Sequence, residues 1–312
     1  MKTVRIVFMG TPQFSVPVLE GLLEEYQVVG VVTQPDKLVG RKQIKTSSPI
    51  KELALQHKVP VLQPVHIRTD YQDILDLNPD LIVTCAYGQM IPNALLEAPK
   101  YGCINVHASL LPKLRGGAPI HKAIIDGYSK TGITIMYMVE KMDAGDIISQ
   151  KETLISDDDT LATLTDRLSQ MGKKLLLETL PDLLLGKIKP TPQEEKEVTY
   201  AYNIKREEEH LDFSKPTRNL YNQIRGLNPT PGAYALLDGK IIKLFSSRIS
   251  DSFYTTKEVG EISRIYKDGF GVATKDGELI VTEIQMEGKK RLLVKDYWNG
   301  SKKETWLGKI LK

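Results

Sequence analysis

Residues 80–86, DLIVTCA, and 103–109, CINVHAS, decide the architecture. Each is a short, nearly continuous apolar run, without the strict polar–apolar alternation of a strand that faces water on one side. Such runs are strands buried on both faces, which implies a mostly parallel sheet covered by helices. RIVFM (5–9), VVGVVT (28–33), VPVLQ (59–63) and TGITIMYMV (131–139) are read as further strands. Between them, Phe14, Val18, Leu22 and Leu23 recur at helical spacing, and helices are expected over 49–57 and 70–77. The expected fold class is therefore α/β, with a Rossmann-like, mostly parallel sheet. Two irregular stretches follow strands: QPDKLVGRKQIKTSS (34–48) and ASLLPKLRGGA (108–118). Loops at the carboxyl ends of parallel strands are where such sheets place ligands.

The pattern changes further along the chain. A long helix is expected over 159–185, opened by Ser156 and Asp159 in a capping-box arrangement. Leu161, Leu164, Leu168, Met171, Leu175 and Leu176 share one of its faces. The segment from Gly186 to Glu209 is polar, contains proline and has no period, so it reads as a linker. Beyond it, three Asp-Gly pairs, at 238–239, 268–269 and 276–277, separate short alternating segments, a hairpin signal. One short helix, about 216–225, precedes them. The expected division is a Rossmann-like domain over 1–188, a linker over 189–205 and a small OB-like β-barrel over 206–312. A length of 312 residues suits two domains.

Charge and cysteine content narrow the classes. Residues 1–205 hold 23 Lys and Arg against 24 Asp and Glu, whereas 206–312 hold 19 against 15. A mildly basic C-terminal part suits a polyanionic partner. The two cysteines, Cys85 and Cys103, sit in apolar stretches with no CxxC, which reads as buried thiols rather than a zinc site. The chain opens on a strand pattern, KTVRIVFMG, and no apolar run reaches the roughly 18 residues a membrane span needs. The expectation is a cytoplasmic protein with no membrane partner.

The first βα turn reads MGTPQFS, one glycine where a dinucleotide fingerprint needs three. No phosphate-binding P-loop occurs either. The sharper feature is Asn105-Val106-His107. Residues two apart in a strand project from the same face, so an amide donor and an imidazole stand side by side near a strand end. An amide can stabilise a developing oxyanion, and an imidazole can exchange a proton near neutral pH. Asp143, in the loop after TGITIMYMV, should emerge at the same sheet edge if the strands are parallel, with Asp146 as the competing carboxylate. Either could orient the imidazole or act as a base. His57, His66 and His210 make no comparable set, and His121 is read as structural. No metal spacing is present. Lys37, Arg41, Lys42 and Lys45 form a basic cluster suited to phosphate contact.

With these residues on view, CINVHASLLPKLRGGAPI closely resembles the active-site segment of the 10-formyltetrahydrofolate-dependent formyltransferases. MGTPQFSVPVLEGL, TQPDKLVGRK, SPIKELA, AYGQMIP and KMDAGDII extend the resemblance, which covers essentially the whole chain and is strongest to the members that act on tRNA. The resemblance implies a catalytic set of Asn105, His107 and Asp143. It implies a folate site lined by Ser109, Leu110, Leu111 and Pro112, with Tyr87, Gly88 and Met90 of the AYGQM segment. It also implies tRNA contacts by Arg41, Lys42 and Lys45, with Arg41 foremost. The implied co-substrate is 10-formyltetrahydrofolate and the implied acceptor is initiator methionyl-tRNA, formylated by a metal-free monomer. Leu114 and His121 depart from the family pattern in the loop.

Overall fold

A computed structural model describes all residues except 1–3, 41–42, 252–256 and 301–302. In chain order the first elements are β1 (Arg5–Gly10), α1 (Val16–Glu25), β2 (Gln27–Val32), β3 (Lys37–Val39), β4 (Ile44–Thr46), α2 (Pro49–Gln56) and β5 (Val61–Leu62). They are followed by α3 (Gln72–Leu75), β6 (Leu81–Cys85), α4 (Asn93–Glu97), β7 (Cys103–His107), α5 (Pro119–Ile125), β8 (Lys130–Tyr137), β9 (Ile147–Leu154) and α6 (Leu161–Leu184). The principal sheet has the order β5-β2-β1-β6-β7-β8-β9. The five strands from β5 to β7 run parallel. Every residue of β6 is buried, as its unbroken apolar run requires.

Two features depart from the expected picture. Strand β8 pairs antiparallel to β7, with Ile104 opposite Tyr137 and His107 opposite Thr134. The end of β8 therefore lies beside the start of β7, roughly 13 Å of strand away from His107. The parallel-sheet argument for Asp143 is overturned; a different device brings it to the site. Strand β9 was not foreseen. It pairs with β8 at the sheet margin, and its burial alternates. Within the polar loop 34–48, β3 and β4 form an antiparallel hairpin, with Leu38 opposite Lys45.

By contact the chain forms two units, the first comprising 1–119, 130–154 and 165–202 and the second 120–129, 155–164 and 203–312. The segment from 189 to 202, expected as linker, is thus hydrogen-bonded into the first unit. Thr191 exchanges backbone hydrogen bonds with Ile147, and Ala201 donates to the Arg115 carbonyl at 2.7 Å.

The second unit holds α7 (Thr217–Gly226), β10 (Ala233–Leu237), β11 (Lys240–Ile249), β12 (Ile262–Ile265), β13 (Phe270–Ala273), β14 (Glu278–Met286), β15 (Arg291–Leu293) and α8 (Val294–Trp298). Its antiparallel sheet runs β10-β11-β14-β13-β12, with β15 also on β14. The last residues of the chain close it. Leu311 bridges Leu237 of β10, and Ile310 bridges Glu261, next to β12. Pairing both edges of one sheet to the same segment makes a barrel, which removes the exposed edges. The first Asp-Gly turn joins β10 to β11 with φ of 52° at Asp238 and 77° at Gly239, the doubly left-handed turn such a hairpin needs.

Candidate active site

The site grows from the carboxyl end of β7. Asn105 and His107 project from one face of the strand, as their spacing requires. Asn105 lies in register with Thr84 of β6, whose hydroxyl donates to the Asn105 Oδ1 at 2.8 Å. With its oxygen engaged, the amide keeps its N–H donors for a ligand. His107 is buried, and its Nε2 lies 3.1 Å from the Leu114 carbonyl. A carbonyl only accepts, so Nε2 carries the hydrogen and Nδ1 is the nitrogen left open toward the site.

Asp143 meets that nitrogen. Its Oδ2 stands 3.8 Å from the His107 Nδ1, too long for a hydrogen bond but within ion-pair reach. The same oxygen accepts from the Gly116 amide at 2.8 Å. Asp146, the competing carboxylate, is exposed. Asp143 reaches His107 because the segment after β8 folds back, with Asp143 in the left-handed region at φ 49°. The fold-back is held by the 189–202 strap. The Gln193 Nε2 donates to the carbonyls of Asp143 at 2.9 Å and Gly145 at 2.7 Å. The Gln193 Oε1 accepts from Arg115 Nε at 3.0 Å and Nη2 at 2.8 Å. Arg115 is fully buried, and its Nη1 reaches Glu195 at 3.2 Å. Hydrogen bonds from Lys141, and then from Arg115, hold the Glu195 carboxyl below the usual carboxylate range.

The strap also fixes the loop carrying Arg115. The Leu114 amide donates to the Thr199 hydroxyl, and the Arg115 amide to the Thr199 carbonyl. Gly116 is indispensable here: at φ 122°, a Cβ would come within 2.6 Å of the Ala201 carbonyl oxygen. Sequence reasoning missed Thr84, Gln193 and Thr199. A buried-strand threonine has no distinguishing pattern, and the other two sit in a stretch with linker composition.

The residues expected at a folate site divide. Ser109 is fully buried and donates to the Lys113 carbonyl, and Leu111 is buried with its amide on the Thr134 hydroxyl. Both therefore shape the loop from within. Leu110 and Pro112 are half-buried, next to a cis Leu111–Pro112 bond. Tyr87 points into an apolar cluster with Ile67, Ile74, Ile91 and Leu95, where burial pushes its hydroxyl up to about 12. Its carbonyl accepts from Thr11 and Gln34. Gly88 and Met90 are exposed. Of the residues expected at tRNA, Lys45 is exposed on β4, 4.0 Å from Asp36. Arg41 and Lys42 lie outside the described residues. Cys85 and Cys103 are buried, and desolvation pushes the Cys85 thiol up to about 12. Among the described residues no His, Cys, Asp and Glu group is placed to hold a metal ion, and no helix is long and apolar enough to cross a membrane.

An amide donor, an imidazole with one free nitrogen and a carboxylate beside it define equipment for acyl transfer, set on an α/β sheet without a nucleotide fingerprint. Residues 4–180 match the formyl transferase family and 203–302 match the formyl transferase C-terminal domain; the chain belongs to the formyl transferase family. It is 54% identical over 305 residues to a methionyl-tRNA formyltransferase of Bacillus cereus (strain B4264), covering 96% of this chain and 97% of that one. A methionyl-tRNA formyltransferase of Bacillus thuringiensis subsp. konkukian is 54% identical over 307 residues, with the same coverage. Solved structures share the fold at lower identity. HypX from Aquifex aeolicus superposes with a TM-score of 0.68 at 20% identity, covering 97% of this chain and 50% of that one. An N-formyltransferase from Helicobacter canadensis, in complex with folinic acid and dTDP-3-aminofucose, superposes with a TM-score of 0.66 at 18% identity, covering 93% and 100%.

Proposed function

We propose that this chain transfers the formyl group of 10-formyltetrahydrofolate to the α-amine of methionine on initiator methionyl-tRNA, working as a cytoplasmic monomer. The observation that carries the mechanism is the convergence of the Asn105 amide, the His107 Nδ1 and the Asp143 carboxylate, with His107 Nε2 already committed to Leu114. The methionyl amine, as free base, attacks the formyl carbon, and the carbonyl oxygen becomes an oxyanion. Asn105 donates to that oxyanion, joined by His107 when Nδ1 is protonated. The Asp143 carboxylate stands 3.8 Å from that nitrogen, an anion beside the imidazole. The C–N bond to N10 of the folate then breaks, and the proton lost by the amine goes to that leaving nitrogen. The folate lies along the 109–112 loop and the 87–90 segment, and the basic side chains of the 34–48 segment, Arg41, Lys42 and Lys45, take the acceptor end of the tRNA.

One experiment tests the assignment. Formylfolate is supplied with charged initiator tRNA, with charged elongator tRNA, with an amino-sugar nucleotide, or with no acceptor. Formylation of the charged initiator alone is expected. Turnover on the sugar, or formate release without acceptor, would replace the reading with a sugar formyltransferase or a hydrolase. Arg41→Ala is expected to raise KM for charged tRNA and to reduce the salt slope by about one, leaving formylfolate binding unchanged. An unaltered slope would remove the segment's role.

A further inference from the structure

We propose that Gln193 is a positioning residue for the reaction: its side-chain amide holds the Asp143 carboxylate against His107, so its loss slows the chemical step without weakening either substrate. The proposal rests on the catalytic reading of His107 and Asp143.

Strand β8 delivers the chain to the wrong end of β7, so the loop carrying Asp143 must return along the sheet. It does so with Asp143 at φ 49°, a region that asparagine and aspartate tolerate but do not prefer. Something outside the loop has to hold that shape. Two of its carbonyls, Asp143 and Gly145, accept from one group, the Gln193 Nε2. On the other side the Gln193 Oε1 takes two N–H donors of Arg115. An amide has two N–H groups and two acceptor lone pairs, and all four are used.

The two ends of this bridge are the two parts that define the site. Arg115 follows Leu114, whose carbonyl fixes the His107 tautomer, and precedes Gly116, whose amide binds the Asp143 carboxylate. Gln193 thus ties the loop of the acid to the loop of the imidazole. Only an amide can do this. A carboxylate in its place would keep Arg115 but set an acceptor against two carbonyls. A methionine would fill the volume and offer neither group.

The test compares Gln193→Glu and Gln193→Met with Asp143→Asn in the full-length chain, using single-turnover rates and KM for charged tRNA and for formylfolate. A displacement on the order of 1 Å can cost about 10²-fold in rate, so a 10- to 100-fold fall in the rate constant is expected, with both KM values within about twofold. The decisive readout is non-additivity. In an Asp143→Asn background, Gln193→Glu should cost nothing further, because Gln193 acts through that carboxylate. A merely structural role would multiply the two losses and raise KM. Multiplying losses, or wild-type rates in both Gln193 variants while Asp143→Asn is slow, would overturn the proposal and leave the catalytic reading intact. A wild-type rate in Asp143→Asn would overturn the catalytic reading, and the proposal with it. If Gln193→Met fails to fold, the near-isosteric Gln193→Glu and its double variant decide the matter.

Discussion

Around His107, burial is polar; inside the barrel of the second unit, it is apolar. At the site the fully buried Arg115 guanidinium donates to Gln193, Gln193 donates to the carbonyl of the left-handed Asp143, Thr84 donates to the half-buried Asn105, and Thr199 accepts from the Leu114 amide. In the second unit, Phe270, Trp298 and Trp306 pack with Leu220, Ile224, Leu244 and Val281. Phe270 and Trp306 lie 5.2 Å apart, and Trp298 meets Trp306 edge-on at 5.1 Å. Apolar contacts tolerate small shifts, because dispersion and burial have little direction. A hydrogen-bonded carboxylate does not, since the bond weakens steeply with angle. The barrel is therefore built to be stable, and the site is built to be placed.

That contrast predicts different failures. The largest effect should come from Phe270→Ala, which removes a fully buried ring from the barrel core. It should cost about 3–5 kcal/mol in urea unfolding. A cost below about 1 kcal/mol would show that apolar area is not what orders the barrel. His107→Ala should act chiefly on the reaction: a loss of about 10²–10³ in single-turnover formylation, near 2.7–4 kcal/mol in the barrier, with a smaller stability cost of about 1–3 kcal/mol from the orphaned Leu114 carbonyl. Near wild-type formylation would remove His107 from the mechanism.

Gly116→Ala tests both at once. Its Cβ would press on the Ala201 carbonyl, and overpacking of this kind costs about 1–3 kcal/mol. Because the Gly116 amide holds Asp143, activity should fall by more than the stability loss explains. Equal losses would mean the strap serves stability alone.

The smallest effect is a pH dependence. Burial holds the His121 imidazole below its usual 6.5, against a hydrogen bond with Thr230 that acts the other way; Lys122 adds to the lowering. A depressed pKa means the unfolded chain takes up the proton first. Stability from this group is complete above pH 6.5 and is lost as pH falls from there through the folded pKa. His121→Gln should flatten that decline in urea midpoints measured from pH 7.5 downward. An unchanged decline would assign it to other groups.

The legible parts were those with local cause. The runs 80–86 and 103–109 announced buried strands because side-chain chemistry alone dictates burial on both faces. The Asn105–His107 spacing announced two polar groups on one face because a strand has a period of two. The Asp-Gly pair at 238–239 announced a hairpin because its residues accept the left-handed backbone. Asp143 is marked by the family resemblance of KMDAGDII; the expectation that strand direction brings it to His107 fails, because β8 is antiparallel and strand direction is not written in an apolar run. The Tyr87 side chain packs in a core rather than standing exposed like Gly88 and Met90, because an aromatic beside a glycine reads alike in either place.

By itself, then, the sequence determined the strands β1, β2, β5, β6, β7 and β8, the shared face of Asn105 and His107, and the turn at 238–239, since each depends on neighbours a few positions apart. Only the tertiary structure decided that Asp143 returns to His107, that Gln193 and Thr199 in a linker-like stretch hold it there, and that Ile310 and Leu311 close the barrel. For the strap and the closing strand those contacts join residues from about fifty to more than eighty positions apart. In each strap and closing-strand contact at least one partner is a backbone carbonyl or amide, a group common to nearly every residue, so the sequence does not mark where the side chain will find it.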